Sequence, residues 1–186
     1  MQALADYIRV YDNALDSKFC ANLIDGFERM TTLQSRNGRG VRAGLENSAW
    51  TEMDVGQLAD KAFLGFFLDV MERFLERYNS EISLGIPVPS RPRTDRLTLK
   101  RYRAGADEVF EPHFDAVDDR SSRYLVFLWY LNDVERGGET EFCDLGIKVA
   151  PRTGRLLMFP PYWMFQHAGR APLSGDKYIL STYLMF

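Results

Sequence analysis

Apolar residues along this 186-residue chain change their period near residue 96. Before that point they recur at helical spacing. Phe19, Leu23, Ile24 and Phe27 fall on one face, with Asp16 and Ser17 as N-cap candidates, which predicts an amphipathic helix over 17–30. Phe63, Phe66, Phe67, Val70, Met71, Phe74, Leu75 and Tyr78 keep a 3-4 rhythm, while Asp69, Glu72, Arg73, Glu76 and Arg77 fill the opposite face. That stripe predicts a second helix packed on a sheet rather than an aromatic cofactor box. Residues 7–11 alternate weakly and predict a short strand. Residues 31–53 lose periodicity. They carry Arg36, Asn37-Gly38-Arg39-Gly40, Arg42 and Gly44 and end near Trp50. A stretch this long without its own pattern reads as a functional loop, here a mobile lid over a site.

Pro87, Pro89 and Pro92 interrupt the chain, and from residue 96 the period becomes that of strands. Seven are predicted, over 96–102, 109–115, 124–131, 139–142, 147–150, 155–159 and 177–185. Gly137-Gly138 and Arg152-Thr153-Gly154 mark turns between them. The run from Tyr124 to Leu131 is almost wholly apolar, as suits a strand buried on both faces. Two helices followed by many short strands imply a mainly β architecture of two sheets, with the helices packed on one outer face. The whole of 1–186 reads as one domain, with 1–95 as helical support and substrate loop and 96–186 as the β core.

Composition narrows the function classes. Apolar content of 46% with 13% aromatics supports a single packed core at this length. A net charge of −3 argues against nucleic-acid binding as a main role. No apolar run reaches about 18 residues, so no membrane span is expected. The start, Met1-Gln2-Ala3-Leu4-Ala5-Asp6, has neither the basic nor the apolar region of a signal peptide. Cys20 and Cys143 cannot make a disulfide framework, which points to a reducing, intracellular compartment, with Cys20 a buried helix residue.

The candidate chemistry lies in the only two histidines. His113 stands in Glu111-Pro112-His113-Phe114-Asp115, and His167 in Phe165-Gln166-His167-Ala168-Gly169. On a strand, residues i and i+2 share a face, roughly 6–7 Å apart, so His113 and Asp115 can converge on one ion while Phe114 turns away. His167 must then arrive from another strand. Two imidazoles and one carboxylate leave half of a metal's coordination sphere open, which is the arrangement of non-haem Fe(II) oxygenases. Lys177, ten residues beyond His167, has an apolar sequel in Tyr178, Ile179 and Leu180 that fits a buried cation better than a surface one.

Four blocks together resemble the prolyl 4-hydroxylase-like branch of the Fe(II)/2-oxoglutarate-dependent dioxygenases. They are Leu99–Gly105 with Glu111–Asp115, Arg123 through Tyr130-Leu131-Asn132-Asp133-Val134, Gly137–Phe142, and Gly154–Phe159 through His167-Ala168-Gly169 to Ser174-Gly175-Asp176-Lys177. The resemblance covers roughly 96–186 and, more weakly, the N-terminal helices. It implies a double-stranded β-helix, the cupin-like jelly roll, and Fe(II) and 2-oxoglutarate as cofactor and co-substrate, with ascorbate as an optional third. It assigns His113, Asp115 and His167 to iron. Lys177 and Tyr102 would bind the far carboxylate of 2-oxoglutarate, and Arg123 a peptide substrate; Trp50 is added as a residue that could close on substrate.

The pattern departs from the family in three places. About two extra residues separate Gly105 from His113, Val126 stands where a threonine often lines the pocket, and Tyr183 where a tryptophan is common. The implied reaction is oxidation of an unactivated C–H bond, coupled to conversion of 2-oxoglutarate and O2 into succinate and CO2. The implied substrate is a prolyl residue of a peptide or protein. The rivals are a hydroxylase of a free amino acid or other small molecule, and a non-catalytic metal-binding jelly-roll module.

Overall fold

The computed structural model describes residues 2–41, 45–89 and 93–186; Arg42, Gly44 and Pro92 of the stretches discussed above lie outside them. Both expected helices form. α1 spans Ser17–Arg29, capped by the Asp16 carboxylate, which accepts from the backbone N–H groups of Lys18 and Phe19. α2 spans Lys61–Ile82, capped by Asp60, and ends at Ser83 in the left-handed conformation.

Twelve strands build two antiparallel sheets. In chain order they are β1 (Arg9–Tyr11), β2 (Ser35–Gly38), β3 (Ala49–Asp54), β4 (Arg93–Thr94), β5 (Thr98–Tyr102), β6 (Phe110–His113), β7 (Arg123–Tyr130), β8 (Thr140–Phe142), β9 (Ile147–Val149), β10 (Leu156–Phe159), β11 (His167–Gly169) and β12 (Lys177–Met185). The large sheet runs β1-β10-β7-β12-β5-β3-β2, with β4 added beside β12, and the small sheet runs β6-β11-β8-β9. The fold is the double-stranded β-helix.

The large sheet separates two cores because its strands alternate. On one face, Leu125, Phe127 and Trp129 of β7 and Leu180 of β12 pack with Phe67, Val70, Phe74 and Tyr78 of α2 and with Cys20 and Phe27 of α1. On the other face, Val126, Leu128 and Tyr130 of β7 pack with Ile179 and Tyr183 of β12 and with Phe142 of the small sheet. β7 is thus buried on both faces along its whole length, as its unbroken apolar run requires. The stripe on α2 is core packing, with Phe67 meeting Trp129 edge to face at 5.5 Å.

The 31–53 expectation is corrected. Ser35–Gly38 and Ala49–Asp54 pair as an antiparallel hairpin, with Asn37 opposite Trp50, and β3 continues the sheet through Thr51 opposite Arg101 of β5. Trp50 and Met53 are buried on opposite faces of the sheet, so packing holds this segment as an edge hairpin and not as an unpaired lid. The sheets also draw on both halves of the chain, since β1 to β4 precede residue 96. Cys20 is buried and both cysteines are free. Among the described residues no helix is long and apolar enough to cross a membrane.

Gly154 joins the N-terminal segment to the turn before β10. Its carbonyl accepts from the N–H groups of Ala14 and Leu15 at 2.7 and 3.1 Å. Its φ is +75°, and a Cβ there would stand 2.2 Å from the Leu15 carbonyl oxygen. The backbone conformation alone should cost Gly154→Ala about 1–3 kcal/mol, and the clash adds to it. Urea unfolding should show a lowered midpoint; an unchanged midpoint would mean that the turn can open without loss.

Candidate metal centre and active-site cavity

The small sheet brings the histidines together. β11 pairs with β6 so that His167 lies directly opposite His113, and their rings sit 4.3 Å apart. β6 ends at His113, so Asp115 is not on the strand as the sequence reading had it. The chain turns there, and the Asp115 and Ala116 N–H groups both donate to the Pro161 carbonyl at 3.0 Å. That turn, not strand alternation, aims the carboxylate back at the imidazoles, while Phe114 is only half-buried. Asp115 Oδ1 lies 3.5 Å from His113 Nε2, and Oδ2 lies 3.5 Å from His167 Nε2. One donor atom from each residue falls within 4.8 Å of the others.

Both tautomers follow from the hydrogen bonds. His113 Nδ1 lies 2.7 Å from the Glu111 carbonyl, and His167 Nδ1 lies 3.1 Å from that of Phe165. A carbonyl only accepts, so each Nδ1 carries a proton and each Nε2 is the nitrogen that faces the Asp115 carboxylate. Burial, then the neighbouring His113 ring, pushes the His167 imidazole down to about 4, so it is neutral at pH 7. Burial by itself would raise Asp115, but attraction from His167 and the adjoining His113 ring outweigh it and hold the carboxyl well below the usual carboxylate range. A neutral His167 and an ionised Asp115 are the protonation states that metal ligation needs. The fit to a cation shows in one atom: Asp115 Oδ2 is buried and has no hydrogen-bond partner.

A model of the 2OG-Fe(II) oxygenase superfamily matches residues 97–185, just under half of the chain and the part that carries this centre. That part of the chain is similar to the superfamily, and the relatives it resembles are prolyl 4-hydroxylases. It is 34% identical over 103 residues to probable prolyl 4-hydroxylase 11 of Arabidopsis thaliana, a match covering 50% of this chain and 35% of that one. To probable prolyl 4-hydroxylase 10 of the same plant it is 26% identical over 214 residues, covering 94% and 67%. The chain thus spans about a third of the length of the first relative and two thirds of the second. Among solved structures, a Trichoplax adhaerens prolyl hydroxylase in complex with a hypoxia inducible factor oxygen degradation domain peptide fragment superposes with a TM-score of 0.75. The two are 15% identical, and the match covers 97% of this chain and 84% of that one.

The centre opens into a cavity between the two sheets. β12 sends Lys177, Ile179, Ser181 and Tyr183 into it and β5 sends Lys100 and Tyr102, each set being alternate residues of one strand. Val126 lines the same space, as its sequence position suggested. Tyr102 is opposite Lys177 in the strand register, and the Lys177 ammonium lies 4.3 Å from the Tyr102 ring centroid. The extra residues after Gly105 therefore leave Tyr102 inside the cavity. Lys177 is 2% exposed and donates only to the carbonyls of Gly138, at 3.1 Å, and Arg170, at 3.4 Å. The Gly137-Gly138 turn, read from sequence as a turn alone, thus also orients this lysine. Burial pushes the ammonium down to about 7, with only distant Glu139 opposing.

The two residues expected near substrate, Arg123 and Trp50, both line a second cavity beside the centre. Arg123 is buried, pairs with Asp95 through both Nε and Nη2, and lies 3.7 Å over the Tyr183 ring. Its head is engaged by Asp95. Trp50 is 2% exposed and stacks on Phe110 at 4.6 Å, and Phe110 stacks on His113 at 3.5 Å. Trp50 is thus a fixed part of the wall that holds His113 flat. Sequence reading missed Tyr183 as a site residue: its hydroxyl donates to Asp115 Oδ1 at 3.0 Å. The signal was available, because Tyr183 shares the parity of Lys177 along β12. Phe110 and Lys100 were also missed.

The pH behaviour of Lys177 has a definite sign. The unfolded chain keeps the ammonium proton to about 10.5, whereas the folded ligand-free protein releases it near 7. The unfolded state therefore binds more protons between those values, and stability rises with pH across the window, by roughly 2–4 kcal/mol. Lys177→Met should remove this slope and stabilise the metal-free protein at pH 7. Urea midpoints at pH 7, 8 and 9 decide it; parallel curves for the two proteins would refute the burial argument. Tyr183→Phe removes a hydrogen bond to a ligand carboxylate. It should weaken Mn(II) binding by about 10–100-fold with the fold intact, as read by calorimetry.

Proposed function

We propose that this chain is an Fe(II)- and 2-oxoglutarate-dependent dioxygenase that hydroxylates a prolyl residue of a peptide or protein. One observation carries the reading. A buried carboxylate with one partnerless oxygen faces the Nε2 atoms of two imidazoles, and the same cavity holds a buried ammonium whose hydrogen bonds, among the described residues, go only to carbonyls. The first feature fits a cation and the second an anion, and together they fit a metal with a carboxylate co-substrate. The structural neighbour solved with a peptide supports a peptide as the substrate class.

His113, Asp115 and His167 would hold the iron and leave the cavity side open. Bound there, iron would supply reductive activation of O2 coupled to 2-oxoglutarate decarboxylation, giving succinate, CO2 and one hydroxyl group on the substrate. The protein's own part is binding and order. The Lys177 ammonium would meet the far carboxylate of 2-oxoglutarate, with the Tyr102 hydroxyl alongside. Tyr183 would restrain Asp115, and the Phe110 ring would restrain His113. The apolar residues Val126, Leu128, Phe159 and Ile179 keep water from the space between them.

With Fe(II) and 2-oxoglutarate, the protein should form succinate slowly alone and faster with a proline-containing peptide, which gains the mass of one oxygen atom. Omitting ascorbate from the same reaction tests a requirement for it. His113→Ala, Asp115→Ala and His167→Ala should each abolish succinate formation while the circular dichroism stays native. Full turnover by any of them would remove that residue from the centre, and no succinate from the wild-type protein under any condition would favour a non-catalytic metal-binding module. Lys177→Met should raise the 2-oxoglutarate dissociation constant about 10–100-fold, since a hydrogen bond to a charged group contributes on the order of 1.5–3 kcal/mol.

A further inference from the structure

Lysine 177 is not the only ammonium in the cavity. Lys100 of β5 lies two residues before Tyr102 and projects from the same face of the sheet. Its Nζ stands 5.6 Å from the Trp50 ring centroid and 5.8 Å from that of Phe110. Among the described residues no acid lies within ion-pair distance of it and no acceptor hydrogen-bonds it. Glu52 and Asp115 attract the ammonium from beyond ion-pair distance, and neither holds it in a direct contact. Glu52 accepts from Trp50 Nε1 at 2.5 Å and from Asn37 Nδ2 at 3.1 Å, and Asp95 is held by Arg123.

Lys100 also borders a second cavity. The two spaces share Lys100, Phe110, Asp115, Ser181 and Tyr183, but Lys177 and Tyr102 belong only to the first. The cavities therefore meet at the metal-ligand carboxylate. One continues to the lysine assigned to 2-oxoglutarate and the other continues past Lys100 to Trp50, Arg120 and the Arg123–Asp95 pair. A substrate reaching the centre by this second route passes an aromatic wall and one ammonium that no described acid pairs directly. A half-buried ammonium without a direct hydrogen-bond partner is costly, and a carboxylate from the incoming molecule offsets that cost.

We propose that Lys100 is a specificity-determining residue that selects substrates with a carboxylate close to the carbon that is hydroxylated. The stacked Trp50–Phe110 pair suits an aliphatic ring beside that carboxylate, and a lysine suits a single carboxylate oxygen rather than a forked, two-point contact. The carboxylate has two sources: the α-carboxylate of a free amino acid, or an acidic side chain or C-terminus adjoining a prolyl residue in a peptide. This inference rests on the dioxygenase reading above.

Matched acids and amides test it. L-proline is compared with L-prolinamide, and a blocked Pro-Glu peptide with its Pro-Gln counterpart. The readouts are calorimetric binding to the Mn(II)- and 2-oxoglutarate-loaded protein without oxygen, and oxygen-atom incorporation with Fe(II) in air. In the wild-type protein the acid of at least one pair should bind about tenfold or more tightly than its amide, as a charge-assisted hydrogen bond implies. The pair that discriminates identifies the source. In Lys100→Met the acid-to-amide ratio should fall to near unity, and in Lys100→Arg it should be partly kept. Because the ratio is taken within each variant, loss of folded protein cancels. Equal binding of acid and amide, absence of binding by every acid, survival of the ratio in Lys100→Met, or a weakened 2-oxoglutarate affinity in Lys100→Met with no change in that ratio would each overturn the proposal. Succinate formation separates the two readings: if the wild-type protein forms succinate but does not discriminate, only this proposal fails, and if it forms none, the dioxygenase reading fails as well.

Discussion

The site depends above all on one strand pairing. β11 and β6 are each only a few residues long, yet their register sets His167 opposite His113, and without it neither imidazole has a partner for chelation. Short strands hold register weakly by themselves, so other contacts must fix this one. β8 pairs with the other side of β11, Phe142 and Phe159 wedge against the His167 ring, and the Trp50–Phe110 stack presses on His113. The metal centre is thus held by aromatic packing from both sheets, although only the small sheet supplies its histidines.

The carboxylate ligand is fixed from the opposite direction. Asp115 stands at the end of a line in which Asp95 holds Arg123, Arg123 lies on the Tyr183 ring, and the Tyr183 hydroxyl reaches Asp115. Each member is buried or nearly so, which strengthens the charge interactions and makes each dependent on the next. The Tyr183 hydroxyl, donating to Asp115 Oδ1, offsets part of the cost of placing an ionised acid in this interior.

Where the chain is periodic, the sequence predicts the structure closely. The two helices, the doubly buried strand β7 and the last strand β12 appear nearly residue for residue, because a long amphipathic or fully apolar run leaves one place to bury it. That His113, Asp115 and His167 gather at one place and that Lys177 is buried was legible from residue type and spacing. The hairpin of β2 and β3 was not, because Asn37, Gly38 and the surrounding arginines mask a pairing that only Trp50 and Met53, buried on opposite faces, stabilise. Nor could sequence show that Arg123 would be spent on Asp95, or that Lys100 would have no acid in direct contact: both follow from contacts between residues 28 or more positions apart, or from the lack of them.

β12 carries Lys177 and Tyr183 on one face and Leu180 and Leu184 on the other. A slip of one residue against β5 and β7 would exchange those faces, withdrawing the cavity cation and the Asp115 hydroxyl partner together while much of the sheet's backbone pairing could persist. Such a species would retain a β-rich spectrum and a cooperative transition and still lack the assembled site. For this architecture, secondary-structure content is a poor certificate of quality, and the burial of Lys177 after refolding measures correct strand alignment more directly than any optical signal.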